Sequence, residues 1–591
     1  MEKTVICKSY DFVVVGGGMS GICAAVAAAR KGVRTALIQN RPVLGGNASS
    51  EMRMHICGAD NHMSRPNARE TGILEEILLE NKRRNPTMNY PVFDAVLWET
   101  VHFQENLSVY LNTHMTEVVT EENRIREITA VQMTTEKVFR IQGTYFMDAT
   151  GDGTLGFLAG ALYRKGREGK EEYGESLAPK TEDGCTMGSS LMFQARDAGK
   201  PVPFIAPDWA NTYTEEQLKF REHTSVTSGY WWIELGGKDL DTISDAEKLR
   251  DELLKAVYGV WDHIKNGGDH GAEQMDLEWV GFLPGKRESR RLIGDYVLTE
   301  QDIHASRIFE DAVAYGGWPM DVHAVDGFLN EEDNPTVWNY VEDVYTIPYR
   351  CLYSANIENL FLGGRAISCS HIAFSSTRVM GTCSVVGQAV GTAAAIALEE
   401  RESPRGVLNH IQKLQQQLLK DDCFIPGFRN EDELDLARTA QVEANRWDLG
   451  CQPKNVINGW GRAVKEDRNC WCCNLDGNEP PMLRLLLAKA AAVREVRLVF
   501  DSNLSREITP SIDERVLKRQ KEQTPPELIR EYGLEFKLGG KTVRTLNRDS
   551  RGQRLQTILM QDSCLCDEIV FWVKSTYGSP KACIFEIRAY E

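Results

Sequence analysis

One short stretch constrains this chain more than any other. Asp11 to Val15 form an apolar, β-branched run, the signature of a buried parallel strand. Gly16, Gly18 and Gly21 follow as G-x-G-x-x-G, and an Ala-rich helix from Ser20 to Arg30 stops at Gly32. Thr35 to Ile38 then read as a second strand. Each glycine has a job in such a unit. Gly16 allows the tight turn, Gly18 lets the backbone approach a pyrophosphate, and Gly21 lets helix and strand pack closely. The helix amides face the phosphates. A G-x-G-x-x-G alone is weak evidence, but one set between a strand and a helix, with a second strand at the right distance, commits the chain to an α/β fold that binds a dinucleotide.

The second strand of such units usually ends in Asp or Glu, which holds a ribose hydroxyl. Here the position is Gln39. A hydrogen bond to a charged acceptor contributes roughly 1.5–3 kcal/mol and one to a neutral amide about 0.5–1.5 kcal/mol. Gln39 therefore weakens one contact without abolishing the site, and it does not exclude NADP. The segment that follows, RPVLGGNASSE, has a second glycine pair, Gly45-Gly46, then Asn47 and Ser49. Two later stretches match it. TYFMDATGDGTLGFLAGA ends a strand in Asp148-Ala149-Thr150-Gly151, and ENLFLGGRAISCSHIAFSSTRVMGTC runs from the strand Leu360–Leu362 through Gly363-Gly364-Arg365 to a small-residue helix opening at Arg378–Thr382.

In this order the three stretches resemble the large FAD-dependent oxidoreductase superfamily of the glutathione-reductase-like kind, and within it the subgroup named simply FAD-dependent oxidoreductase. ESRRLIGDYVLTEQDI, GGWPMDVH and YTIPYRCLY are further traits of that subgroup, and the resemblance covers roughly residues 8–400. It implies FAD as cofactor. Gly16, Gly18, Met19, Ser20 and Gly21 would lie at the pyrophosphate, Gln39 at the adenosine ribose, and Asn40 and Arg41 along the cofactor. Gly45, Gly46, Asn47 and Ser49 would run along the cofactor. Thr116 and Val118 would touch adenine through a strand backbone. Ala149, Thr150, Gly151 and Asp152 would return to the nucleotide, and Gly364 and Arg365 would meet the ribityl chain and phosphates. Arg378, Gly381 and Thr382 would open a helix whose amides aim at the flavin. A single dinucleotide fingerprint is present and no C-x-x-C pair stands beside the flavin motifs, so neither a built-in NAD(P)H domain nor disulfide chemistry is expected.

At 591 residues the chain is too long for one core. The expected fold class is α/β: a Rossmann-like FAD-binding domain with an inserted α+β substrate cap, plus a C-terminal β-sandwich of jelly-roll type. The first FAD portion is read as 1–165, the cap as 166–345, the return segment as 346–400 and a helical linker as 401–445. Residues 446–591 alternate as strands and resemble a galactose-binding or discoidin-like domain, through KNVINGW, VREVRLVFD and IFEIR. A net charge of −17 argues against nucleic acid or an anionic membrane as partner. No apolar run reaches spanning length and no signal peptide stands out, so a cytoplasmic location is expected. The 15 cysteines are scattered, as free thiols are.

Four side chains are the catalytic candidates. His371, read on a loop facing the flavin, would serve as general base while hydride leaves to flavin N5. Arg378 would stabilise reduced flavin or bind a carboxylate. Arg290, with Arg291, would anchor an anion or form a buried ion pair. His55 is a second candidate base, as is His323. Cys470, Cys472, Cys473, Cys564 and Cys566 read as small core hydrophobes, so no metal site is expected. The favoured function is oxidation of a polar small molecule, a sugar or glycoside secondary alcohol, with an external electron acceptor. Flavin-dependent reduction of an activated C=C bond, a carbohydrate-binding protein with structural flavin, and flavin monooxygenation are the alternatives. A homo-oligomer is compatible with all of them.

Overall fold

Phe12, Val13 and Val14 are completely buried because their strand is covered on both faces. The computed structural model describes residues 5–520 and 522–591. Six strands build the first sheet: β1 (Val5–Val15), β2 (Thr35–Ile38), β3 (Leu107–Tyr110), β4 (Thr113–Glu121), β5 (Arg124–Gln132) and β6 (Lys137–Asp148). Their order is β3-β2-β1-β6-β5-β4. The first four in that order are parallel, and β6, β5 and β4 turn back as an antiparallel meander. The strand Leu360–Leu362 joins in parallel beside Phe146–Asp148. The chain thus returns to the sheet centre after more than 200 residues, as the third glycine-rich stretch suggests.

The helix α1 (Met19–Arg30) is buried along its length except at its last residue. Helix Met380–Glu400 packs against it at backbone contact. A Cβ at Gly387 would stand 2.1 Å from the Ser20 carbonyl oxygen, and one at Gly391 the same distance from that of Ala24. A glycine every fourth residue is what lets two helices touch this closely. Among the described residues Met380–Glu400 is the one helix long and apolar enough to cross a membrane, but 89% of its apolar window is buried inside the protein. It carries Thr, Ser and Gln among its small residues, so its apolarity is an average and not an unbroken run.

The insert between these segments is mixed. Helix Ala246–Asn266 lies over strands Phe193–Asp197 and Met275–Val280, which pair antiparallel. Trp261, Phe193, Val257, Val260 and Ile264 are the centre of its own core.

The boundaries differ from those read in the sequence. The chain forms two units: Met1–Asn61, Thr87–Ile411 and Thr509–Arg519 make the first, and His62–Pro86, Gln412–Ile508 and Gln520–Glu591 the second. Insert and nucleotide segments therefore share one unit. The helix Ile73–Arg84, read as part of the FAD portion, belongs to the second unit. So does most of the expected linker, because Gln441–Ala444 pairs with the strand Met482–Phe500. The second unit is a seven-stranded antiparallel sheet system. Its long strands Met482–Phe500 and Leu555–Thr576 lose register between Leu486 and Ala491. The early half of Met482–Phe500 is thereby flanked by Gln441–Ala444, and the later half by Lys581–Tyr590. Buried Arg554 pairs with Asp422 at 2.9 Å within this unit.

Candidate functional site

The site begins at the turn after β1. Gly16 takes φ +111°, and a Cβ there would strike the Ala149 carbonyl oxygen at 2.0 Å, so the first turn and the Ala149–Gly151 turn need this glycine to meet. Asp148 holds the second turn together. Its carboxylate accepts from the amides of Thr150 at 2.9 Å and Gly156 at 2.8 Å. Gly18 differs from Gly16. Its φ of −70° suits any residue, and a Cβ would meet nothing nearer than the Gly46 Cα at 4.0 Å. No protein neighbour demands glycine at this position. The open space lies where α1 begins, with no side chain capping its amides.

Beside this opening, Gly18 bridges to Gly45, and Ser49 Oγ is buried without a hydrogen-bond partner among the described residues. Arg365 Nε is likewise buried and unpartnered. Lys286, which the sequence reading passed over, ties all three glycine-rich stretches together. Its carbonyl accepts from Asn47 Nδ2 and from Arg365 Nη1, each at 3.1 Å, and its ammonium lies 2.7 Å from Asp152. Arg365 also reaches Asp152 at 3.0 Å. Burial pushes the Asp152 carboxyl up, but Arg365 and Lys286 outweigh it and hold it below its ordinary range.

Gln39 is engaged by the loop. Its Oε1 accepts from the Gly17 amide at 2.9 Å and its Nε2 donates to the Val43 carbonyl at 3.1 Å. An amide oxygen has two lone pairs, so one remains for a ribose hydroxyl. Asn40 is exposed, and Arg41 pairs with Glu51 at 2.6 Å. Ser20 Oγ accepts from the Gly364 amide at 2.9 Å, which joins the start of α1 to the closing motif. Met19 is buried and Gly21 packs on the Gly16 carbonyl. Thr116 is the extra residue of a bulge in β4, and Val118 is half-buried against the sheet core. The Gly381 amide donates to the Cys57 carbonyl at 2.8 Å, and Thr382 is fully buried.

The residues after Lys286 carry the chemistry. Arg287 reaches Glu234 at 3.4 Å, and Glu288 reaches His371 Nδ1 at 3.0 Å. His371 is the first residue of a helix, His371–Thr377 capped by Ser370, and not part of a loop. Its backbone amide donates to Glu168 at 2.8 Å. Glu288 also carries Arg291, which pairs in turn with Glu168 at 2.6 Å. Glu288 and Arg291 are wholly buried. Burial raises the Glu288 carboxyl, but His371 and Arg291 more than compensate and hold it ionised. With Nδ1 held by a carboxylate, the imidazole keeps its proton there and presents Nε2 as an acceptor. His371 Nε2 has no hydrogen-bond partner among the described residues.

A second cluster stands beside the first. His323 lies 2.6 Å from Glu234 and 3.0 Å from Asp321, and Arg378 reaches Asp321 at 2.7 Å. The adjacent amides of Met187 and Gly188 connect the two, donating to Glu288 at 2.9 Å and Glu234 at 2.7 Å. Burial lowers the His323 pKa, but Asp321 and Glu234 raise it by more. Arg378 Nη2 also lies 3.1 Å from His323 Nε2, so both ring nitrogens of His323 are engaged by charged partners.

Two other candidates lie apart from this chemistry. Arg290 stacks on Phe157 at 4.0 Å and donates to the Asp152 carbonyl, so it is not an anion anchor beside His371. Arg291 is the buried ion pair of the two readings offered for it. His55 is half-buried and stands near Asp513, whose carboxylate it helps keep ionised. In the second unit, Cys470 Sγ lies 3.8 Å from Cys451 Sγ, and Cys472 faces Cys583 across the ladder, around Val499 and Phe585.

The cradle fits a dinucleotide such as FAD. Gly18 leaves open backbone, no side chain caps the amides of α1, and Ser49 Oγ and Arg365 Nε are buried donors without hydrogen-bond partners among the described residues. The chain is also similar to solved carbohydrate-binding modules over its C-terminal part. One is the family 32 module of Clostridium perfringens NanJ in complex with galactose, at 14% identity, covering 27% of this chain and 98% of that one with a TM-score of 0.20. Another is the family 32 module of Streptococcus pneumoniae EndoD, at 13% identity, covering 27% and 99% with a TM-score of 0.21. Across residues 11–418, which hold every element of the cradle and both histidine clusters, the chain matches the family model described as FAD dependent oxidoreductase, and it belongs to that family.

Proposed function

We propose that this enzyme oxidises a secondary alcohol of a sugar or glycoside, with His371 as the base. The observation that carries the reading is the pairing of Glu288 with His371 Nδ1 at 3.0 Å, which leaves Nε2 as the acceptor. Gly18, Gly46, Ser49 and Arg365 would hold FAD, which when bound would supply a two-electron acceptor for hydride. His371 Nε2 takes the hydroxyl proton as the C–H bonding pair departs and the carbonyl forms. The imidazolium that results is stabilised by Glu288, whose charge is already fixed by Arg291. An external acceptor then takes the electrons.

Aromatic residues near the second cluster favour a hydroxylated ring as substrate. Trp231 is 37% exposed and its ring lies 5.6 Å from that of His323. Trp338 is equally exposed and meets Trp318, whose carbonyl accepts from Ser376 of the His371 helix. Such rings stack on the apolar faces of sugars while His323, Arg378 and Asp321 offer polar contacts. Reduction of a carboxylate-bearing alkene is the second reading, since Arg378 pairs with Asp321 through Nη2 but keeps a buried Nε without a hydrogen-bond partner among the described residues.

The test is the visible spectrum of the FAD-loaded protein under anaerobic conditions, before and after addition of a panel of sugars and glycosides. Bleaching by one class identifies the hydride donor. A flavin that no member of the panel reduces, but that a chemical reductant bleaches and an activated alkene reoxidises, would replace this reading with the reductase one.

A further inference from the structure

We propose that Glu215, His223, His263 and His270 form a tetrahedral Zn²⁺ site that staples two irregular segments of the insert to the end of helix Ala246–Asn266. The site is independent of the flavin chemistry, and its ligands come from separated parts of the sequence that read individually as ordinary surface or core residues.

The donors converge on one point. Glu215 Oε2 lies 3.0 Å from His263 Nε2, 3.5 Å from His223 Nε2 and 3.8 Å from His270 Nε2. All four ligand atoms lie within 4.8 Å of one another. Bonds of about 2.0–2.1 Å from zinc to N and O give a tetrahedron with edges of about 3.3–3.4 Å, inside the observed spread.

The other ring nitrogens fix the tautomers. His263 Nδ1 lies 3.2 Å from the Tyr213 carbonyl, and His223 Nδ1 faces the Arg221 carbonyl. A carbonyl only accepts, so both Nδ1 atoms carry protons, and the neutral rings turn their Nε2 lone pairs toward the centre. Without a cation those lone pairs face a carboxylate and each other. The three rings crowd around the same point, with ring centroids 4.8–5.3 Å apart. His270 Nε2 is moreover buried without a hydrogen-bond partner among the described residues. A divalent cation at the centre satisfies all four groups.

The donor set selects the ion. Three imidazoles and one carboxylate suit zinc and its neighbours, whereas Mg²⁺ and Ca²⁺ require oxygen ligands in larger number. With four protein donors no position is left for water, the pattern of a structural site. His263 sits in the last turn of its helix and His270 in the segment just beyond it. Glu215 and His223 lie between the strands Phe193–Asp197 and Ser228–Gly229, in a stretch without helix or strand. Leu218, Ile264 and Ala272 from the same three segments share one core. The Glu215 side chain is 70% exposed, so an added chelator can reach the ion.

The experiment uses full-length, FAD-loaded protein. It is stripped with dipicolinate, incubated with ZnSO₄ and desalted, and then analysed by elemental analysis and zinc X-ray absorption. One zinc per chain in a shell of N and O at about 2.0–2.1 Å is expected. Glu215→Ala and His270→Ala alter an exposed position and a loop, and each is expected to lower retained zinc at least tenfold while flavin content stays at one per chain. Sulfur neighbours at about 2.3 Å would place the metal on Cys451, Cys470, Cys472 and Cys583 and overturn the assignment. Failure to retain ZnSO₄ or CoCl₂, or full retention by both variants, would overturn it as well.

Discussion

Glu288 holds His371 by its Nδ1 at 3.0 Å across 83 residues of sequence, and the same carboxylate carries Arg291 in a fully buried pair. Replacing Glu288 by Gln keeps the shape but removes the charge that orients the ring and balances the imidazolium. The rate of substrate-driven flavin reduction is expected to fall by about 10²–10⁴, the scale of general base catalysis. Arg291 retains Glu168, so the protein should fold and bind FAD. Stopped-flow bleaching of the flavin measures the effect. A rate unchanged from wild type would reduce the pairing to a structural role.

The nucleotide cradle was legible because its information is local. Gly16, Gly18 and Gly21 span the short passage from β1 into α1, and β2 and Leu360–Leu362 occupy the residues their patterns indicate. The Glu288–His371 pair was not legible, since nothing in local periodicity marks which distant carboxylate will face a given histidine. Lys286 was invisible for the same reason, because half its role is played by its backbone carbonyl. The domain boundaries failed at Gln441–Ala444, where a short strand in an acidic stretch takes its place through pairing with Met482–Phe500 and not through its own composition.

Gly16 and Gly18 should respond differently to the same substitution. Gly16→Ala drives a Cβ into the Ala149 carbonyl from a left-handed backbone, so it should destabilise the fold itself. Gly18→Ala meets no protein atom closer than 4.0 Å and should leave the melting temperature of the flavin-free protein unchanged. It fills the space where the pyrophosphate approaches and should weaken FAD binding by at least tenfold. Equal FAD affinity in Gly18→Ala and wild type, by flavin fluorescence titration, would mean the cofactor does not pass this point.

The His323 cluster makes a prediction about pH. The folded pKa of His323 is raised above its ordinary 6.5, so its contribution to stability is complete below that value and is lost as pH rises through the folded value. Asp321 and Glu234 are held below their ordinary range, Glu234 at about 2, so their contributions persist at neutral pH and fail only in strong acid. His323→Gln leaves two buried carboxylates with less compensation, and breaking such a pair costs about 3–5 kcal/mol. The gap in melting temperature between wild type and His323→Gln should be widest near pH 6 and narrow as pH rises toward alkaline values. A gap that widens on that titration would contradict the raised pKa of His323.

The contact of α1 with helix Met380–Glu400 couples stability to the cofactor at one glycine more than at the other. A Cβ at either Gly387 or Gly391 would overlap a carbonyl of α1 at 2.1 Å. Overpacking of this kind typically costs about 1–3 kcal/mol, so Gly387→Ala and Gly391→Ala should lower the melting temperature of the flavin-free protein by similar amounts. Their effects on FAD should diverge. Gly387 presses on Ser20, whose hydroxyl accepts from the Gly364 amide and so joins the start of α1 to the closing motif. Gly391 presses on Ala24, one turn farther from the phosphate end. FAD affinity of the folded fraction should therefore drop more in Gly387→Ala than in Gly391→Ala. Titration of both variants below their melting temperatures decides the matter, and equal affinities would mean that the register of α1 against this helix does not set the geometry of the cradle.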